Sequence, residues 1–426
     1  MSTDTLKISR LHNLMTERVV ITGVVAVSAL GLGAEANFSR ALAGHSGIDF
    51  LQLPFSEHLI CKVGAQIKFP LPDLIKKTEA GLFDRFALLA WTAAHEALLQ
   101  SGITHHPDHL ATSGVFWGTG MGGAHTVEAG YVDLFVENKK RLRPLSVVAG
   151  MNNSAAGHVA LRAGFGGTVN TYSSACVSSA QAIGEAYRHI RHGYADRVLA
   201  GGSEALLTQG VLSAWDALRV LANTDPEHHE QSCKPFSQLR SGLVLGEAGA
   251  AVMLESLSSA QARGVTILAE LAGYGASNDS THMTKPDPGG QARAMLMALS
   301  DAGIPPSGID YINAHGAATA AGDHAETESI KAVFGEHAKS LMVSSTKAVH
   351  GHTLGAAGAL EFVITLQSMR HNAVAPTAFL NHPDPNCDLD FVPMQGRYNQ
   401  ILRAAMSNSF AFGGSNVALI VKPFAP

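Results

Sequence analysis

Charged side chains are scarce in this chain: they make up 15% of its 426 residues, against roughly 25% in ordinary soluble domains. Much surface is therefore hidden, in a thick layered core or a large subunit contact. Charge of one sign is lacking too, with a net of −5, so there is no net basic attraction to nucleic acid or to an anionic membrane. Cysteine is rare. The four, at 61, 176, 233 and 387, stand far apart without C-x-x-C or H-x-x-x-H spacing, which excludes a disulfide framework, leaves no metal site in view and fits a reducing cytoplasm. No apolar run is long enough to span a bilayer. The nearest, Val19 to Ala34, follows a leader containing Asp4 and Glu17 and is broken by Thr22, Gly23, Ser28 and Gly31. It reads as a buried strand turning into a loop rather than as a secretory signal. With 46% hydrophobic residues, disorder is excluded as well.

Alternating strand and helix patterns are abundant. Arg18 to Val27 reads as a strand and Phe83 to Gln100 as an amphipathic helix ended by Gly102. Gly114 to Gly118 is a strand followed by a glycine-rich turn. Thr168 to Tyr172, Val177 to Arg191 and Arg197 to Gly201 read as strand, helix, strand, which predicts an at least partly parallel sheet. A weak repeat runs through the chain. Val169 to Tyr172, Ser173-Ser174 and a small-residue helix end in Arg191-His192-Gly193; Leu341 to Val343, Ser344-Ser345 and another such helix end in Arg370-His371-Asn372. Two equivalent halves are expected, 1–265 and 266–426, sharing one body, with a strand from Ile267 to Tyr274 opening the second.

The chemistry-bearing residues cluster at equivalent turns. Cys176 stands between a strand and a helix, where the positive helix end favours a thiolate nucleophile; read alone, it is equally a buried structural cysteine. His315 ends an apolar strand, a place where a satisfied polar side chain is the commoner finding. Ser344 to Gly358 puts Lys347, His350 and His352 on one glycine-flanked strand-to-helix turn, an expensive place for cations without a task. His350-Gly-His352 has no third ligand nearby in sequence, which argues against a metal pair. Asn408 to Asn416 contains Phe410-Ala-Phe412-Gly-Gly, either a tight hairpin or a mobile aromatic flap whose N–H groups serve an oxyanion. Gly118-Thr-Gly-Met-Gly-Gly123 satisfies the dinucleotide fingerprint G-x-G-x-x-G but lacks the acid at the end of a second strand.

Taken in order, Cys176, then His315 in Asn-Ala-His-Gly, then Lys347 and His352 in Lys-x-x-x-x-His-x-x-Gly-Ala-Ala-Gly, then Phe-Ala-Phe-Gly-Gly resemble the elongating, type II β-ketoacyl-acyl carrier protein synthases. The match runs from Arg18 to Val421. It implies an α/β chain with the duplicated five-layer αβαβα thiolase fold and an intimate homodimer, or a heterodimer with a chain-length-factor-like subunit. It also implies a decarboxylative Claisen condensation with malonyl-acyl carrier protein in fatty-acid or polyketide/polyene elongation, catalysed by an acyltransferase. By the same resemblance Cys176 carries the acyl chain, and His315 and His352 assist loss of carbon dioxide. Lys347 sets their electrostatics with Glu361 as its partner, and Phe412 supplies an oxyanion N–H and a gate. Thr284 and Thr319 match pantetheine contacts, Phe410 lies at the substrate, and Met121 matches a position lining the acyl tunnel. Lys140, Arg141 and Arg219 match carrier-docking positions. No cofactor beyond the carrier's 4'-phosphopantetheine is implied, and neither nucleic acid nor membrane is a partner.

The chain departs from the family's pattern. Ala317 replaces a usual Thr, Ser237 and Ser241 replace two acids in Pro235-Phe-Ser-Gln-Leu-Arg-Ser-Gly242, and Leu243 stands where Phe is common. These changes are expected around the substrate mouth and point to a specialised polyketide or polyene pathway rather than housekeeping elongation. The other classes are a non-catalytic partner subunit, against which the intact Cys176, His315 and His352 speak, and a nucleotide-dependent oxidoreductase, which rests only on the 118–123 turn.

Overall fold

The computed structural model describes residues 16–426; the residues of the leader before Thr16 lie outside it. Ten strands make the main path of the sheet: β1 (Val19–Ser28), β2 (Gly114–Gly118), β3 (Val169–Tyr172), β4 (Arg197–Glu204), β5 (Ala248–Ser256), β6 (Ala269–Asn278), β7 (Tyr311–Asn313), β8 (Met342–Ser344), β9 (Ala405–Phe410) and β10 (Ser415–Lys422). Their spatial order is β8-β7-β9-β10-β6-β1-β5-β4-β2-β3. Counted outward from the centre, the first half reads β1, β5, β4, β2, β3 and the second β6, β10, β9, β7, β8, so each half has the order one, five, four, two, three. The pair directions repeat as well: β2 lies parallel to β3 and β4, and β7 parallel to β8 and β9. Antiparallel pairing of β1 with β6, Val19 opposite Leu271, joins the halves. The expected strand-helix-strand unit from Thr168 to Gly201 is present, but β2 lies between its two strands.

Six helices complete five layers: α1 (Arg85–Ser101), α2 (Ser154–Ala163), α3 (Ser178–Arg191), α4 (Pro288–Ala302), α5 (Ala320–Phe334) and α6 (Ala357–His371). Asp84 caps α1 by accepting the Phe86 N–H at 3.2 Å, and Gly102 ends it at φ 65°. α1 and α2 pack on the outer face of the first half, α4 and α5 on that of the second. α3 and α6 fill the middle. Every residue of α6 from Ala357 to Met369 is buried, as a helix enclosed on all sides must be. Phe362, wholly buried there, would cost about 3–5 kcal/mol if cut to alanine. The two central helices meet at their N-terminal ends, where a Cβ on Gly358 would lie 2.6 Å from that of Ala180. Small residues at this contact bring the two loops before α3 and α6 together, the first holding Cys176 and the second His352.

Candidate active site

Cys176 sits in the turn Ala175–Val177 that leads into α3. Ala175 takes φ 52°, a strained conformation of the kind found at functional turns. His352 follows the corresponding turn of the second half, and its Nε2 stands 3.1 Å from the Cys176 Sγ. Its Nδ1 accepts the Leu354 N–H at 3.1 Å, so the neutral ring offers Nε2–H to the sulfur. The backbone N–H groups of Phe412 and of Cys176 itself also point at the sulfur. Burial nevertheless pushes this thiol up to about 12, with the Lys347 charge opposing. The helix end, the Phe412 N–H and Lys347 favour the thiolate expected from sequence, and burial acts against them.

His315 closes the other side. Its ring lies 5.3 Å from that of His352, edge to face, and 6.0 Å from that of Phe410. Its Nδ1 is buried without a hydrogen-bond partner among the described residues. Both imidazoles are held well below their ordinary value, first by burial and then by Lys347, so they are neutral donors at neutral pH. Lys347 is fully buried; it pairs with Glu361 and donates to the His315 carbonyl at 2.6 Å. Burial raises Glu361 to about 7 against the pull of Lys347. Glu326, which the sequence did not single out, accepts the His315 and Gly316 N–H groups at 2.9 and 2.7 Å and fixes the His315 backbone. His350 turns away, its ring bonded to Thr346 and the Gly351 carbonyl.

A cavity of ≈ 170 Å³ opens onto the sulfur. Cys176, His315, His352, Phe410 and Phe412 line it, and so do Thr284, Thr319, Ala317 and Leu243. Ser237 and Ser241 do not. Ser237 is buried against the His382 carbonyl, and Ser241 accepts the Asn223 N–H; these two departures brace loops, whereas Ala317 and Leu243 shape the wall. Arg240 keeps acidic partners in Asp384 at 2.7 Å and Asp323 at 3.6 Å. Met121 is not brought to this cavity: its residue is half exposed at the turn after β2. Lys140 and Arg141 are exposed on the 137–145 loop, away from the cavity wall; Arg219 is exposed beside Val220, which is part of that wall.

The glycine turn after β2 has its own explanation. The Glu204 carboxylate accepts the N–H groups of Gly120, Met121 and Gly355 and the Thr119 hydroxyl. The amides that a pyrophosphate would need are occupied by the chain's own anion, so the G-x-G-x-x-G pattern is structural here.

A buried thiol receiving three donors, two neutral imidazoles beside it and a paired lysine behind them define a thiolase-fold condensing enzyme. Residues 16–260 match the family described as "Beta-ketoacyl synthase, N-terminal domain" and residues 268–381 its C-terminal domain; the chain belongs to the β-ketoacyl synthase family. It is 40% identical over 414 residues to the 3-oxoacyl-[acyl-carrier-protein] synthase 2 of Staphylococcus aureus, covering 96% of this chain and 99% of that protein. Among solved structures it resembles a ketosynthase bound to a hexaketide in complex with its type II PKS acyl-carrier protein (31% identity, TM-score 0.89, 96% of this chain and 100% of the other). It is also similar to the ishigamide ketosynthase/chain length factor (28% identity, TM-score 0.89, with the same two coverages).

Proposed function

We propose that this protein elongates acyl chains by decarboxylative Claisen condensation, with Cys176 as the acyl carrier and His315 and His352 as the enolate-stabilising pair. The observation that carries the reading is the convergence of His352 Nε2, the Phe412 N–H and the Cys176 N–H on one sulfur. Acyl transfer begins when the sulfur attacks the thioester carbonyl of an acyl-carrier protein; the carrier's pantetheine thiol leaves, and the two backbone N–H groups hold the oxyanion. Malonyl-carrier protein then loses carbon dioxide. The resulting enolate oxygen is held by the imidazole N–H donors, which, being neutral, do not quench it. Its carbon attacks the Cys176 thioester, the carbon–sulfur bond breaks, and a β-ketoacyl chain two carbons longer departs on the carrier. Lys347 keeps the imidazoles neutral and Phe412 gates the second substrate. Thr284, Thr319 and Phe410 position the pantetheine and acyl groups. The protein's own residues supply this chemistry, with the substrates carried on the acyl carrier protein's 4'-phosphopantetheine arm.

The two halves, 1–265 and 266–426, act as one body, the first carrying the nucleophile and the second the histidines, lysine and gate. Exposed apolar side chains support a dimer, with itself or with a chain-length-factor-like subunit: Phe135 and Val147 are 75% and 76% exposed, and β3 ends the sheet as an edge strand. In that dimer Met121 meets the tunnel floor. Ala317 and Leu243 in the cavity wall favour a specialised polyketide or polyene substrate over a housekeeping fatty acid, and the site of action is the cytoplasm. Product analysis with malonyl-carrier and acyl-carrier primers of graded length and saturation tests the reading; failure to extend any primer overturns it.

A further inference from the structure

Trp215 stands on the nine-residue helix Gln209–Ala217 and was not among the residues the sequence brought forward. Its half-buried indole lines the same cavity as Cys176 and Phe412. The indole stacks on the Phe412 ring, with centroids 5.9 Å apart and planes inclined by 18°. The rest of the flap is held through its backbone. Gly413 donates to the Met283 carbonyl at 2.7 Å, and the Asn278 amide donates to the Gly413 carbonyl at 2.9 Å. Gly413 and Gly414 take φ 85° and 77°, and nothing lies within 4 Å of where a Gly413 Cβ would be. These bonds fix the hinge through its backbone, and among the described residues the Phe412 ring has one aromatic partner, Trp215. Trp215, by contrast, is anchored: Glu128 accepts the N–H groups of Gln209 and Gly210 at 2.8 and 2.7 Å, tying down the start of its helix, and Leu212 is buried beneath it.

We infer that Trp215 is the latch of the Phe412 gate. The stack holds the Phe412 ring over the mouth while the cavity is empty. An acyl chain on Cys176 takes its place along the indole face, and the freed ring turns on Gly413-Gly414 to admit the malonyl arm. A ligand shifts such a balance only through contacts that differ between the two states, and the indole face is the contact for which the acyl chain and Phe412 compete. The latch thus makes malonyl access follow priming and keeps malonyl-carrier from being decarboxylated to no purpose. Trp215 touches no bond that forms or breaks; it is a positioning residue. The inference rests on the reading of Phe412 as a gate.

The test compares Trp215→Leu, Trp215→Phe and Phe412→Ala in the full-length protein. The readout is carbon dioxide released from malonyl-carrier protein without primer, divided by condensation product formed with hexanoyl-carrier protein. Trp215→Leu should raise this ratio about two- to tenfold, the shift that loss of one aromatic pair allows, and Trp215→Phe should keep the wild-type ratio. A second measurement covers the case in which Trp215→Leu fails to fold. Trp91 and Trp117 are buried in the first-half core, so the emission that Trp215→Phe removes is that of Trp215, and this component should change when hexanoyl-carrier protein primes Cys176. If priming leaves the Trp215 emission unchanged, the latch is overturned; if Phe412→Ala raises the ratio and Trp215→Leu does not, the latch is overturned and the gate stands. If Phe412→Ala also leaves the ratio unchanged, the gate reading itself fails.

Discussion

The Nε2 of His352 lies 3.1 Å from the Sγ of Cys176 while its Nδ1 accepts the Leu354 N–H, so the ring gives the sulfur a proton donor rather than a lone pair. Among the described residues no group poised as a general base faces the thiol. With burial holding the thiol near 12, alkylation of Cys176 by iodoacetamide should rise about tenfold per pH unit from 7 to 9, following the thiolate fraction. His352→Ala, which removes a donor to the thiolate, should slow it further. A plateau already at pH 7 contradicts this picture.

The paired imidazoles make a prediction about rate. His315→Ala and His352→Ala should each lower malonyl-carrier decarboxylation by about 10²–10³, the usual cost of removing one oxyanion donor. Cys176→Ala should abolish condensation yet retain decarboxylation, because both rings remain. Near-normal decarboxylation in both histidine variants counts against the pair.

Lys347 is expected to set the pH range. His315 and His352 are both depressed from an ordinary 6.5 by burial first and Lys347 second. With the folded value below the unfolded one, the unfolded chain takes up protons first. The stability of the neutral pair is therefore complete above pH 6.5 and drains as pH falls through the folded values. Wild-type decarboxylation should show no acid limb near 6.5. Lys347→Met removes the second cause, so its residual activity should acquire an acid limb at higher pH than the wild type. The same change leaves Glu361 buried without its partner and should cost about 3–5 kcal/mol of stability, read by denaturant unfolding. An unmoved limb contradicts the electrostatic role.

Carrier docking is expected at the basic loop and at Arg219. Lys139 is engaged with Asp133 and Glu137, whereas Lys140 and Arg141 have no ion pair among the described residues. Reversing the charge of Lys140 and Arg141 together should raise KM for carrier-bound substrate at low salt, with the difference shrinking as salt screens it. An equal KM at low salt removes this loop from the interface.

The chemical core of the site was legible because it is written locally. Cys176, Lys347 and His352 lie on strand-to-helix turns whose small residues and glycines can be read in sequence, and the repeat announced the two equivalent turns. The helix of Phe83 to Gln100 was legible in the same way, through its apolar period and Gly102 at its end. Contacts between distant segments were not. Glu204 reaches the 119–121 turn across more than eighty residues, and without it the glycine pattern imitates a dinucleotide site. Trp215 gains its meaning only from Phe412, nearly two hundred residues on, and the serines at 237 and 241 look like mouth residues until their backbone partners are seen. Met121 marks the reverse case, a residue placed by resemblance that one chain alone leaves on the surface.

The covalent state of Cys176 gives the most direct test. Intact-protein mass spectrometry should show one added acyl mass after incubation with acyl-carrier protein, absent in Cys176→Ala. Addition of malonyl-carrier protein should remove it as carbon dioxide and a β-ketoacyl-carrier two carbons longer appear in equal amount. Extension of the primer without that mass ever appearing on Cys176, or by Cys176→Ala, would contradict the account.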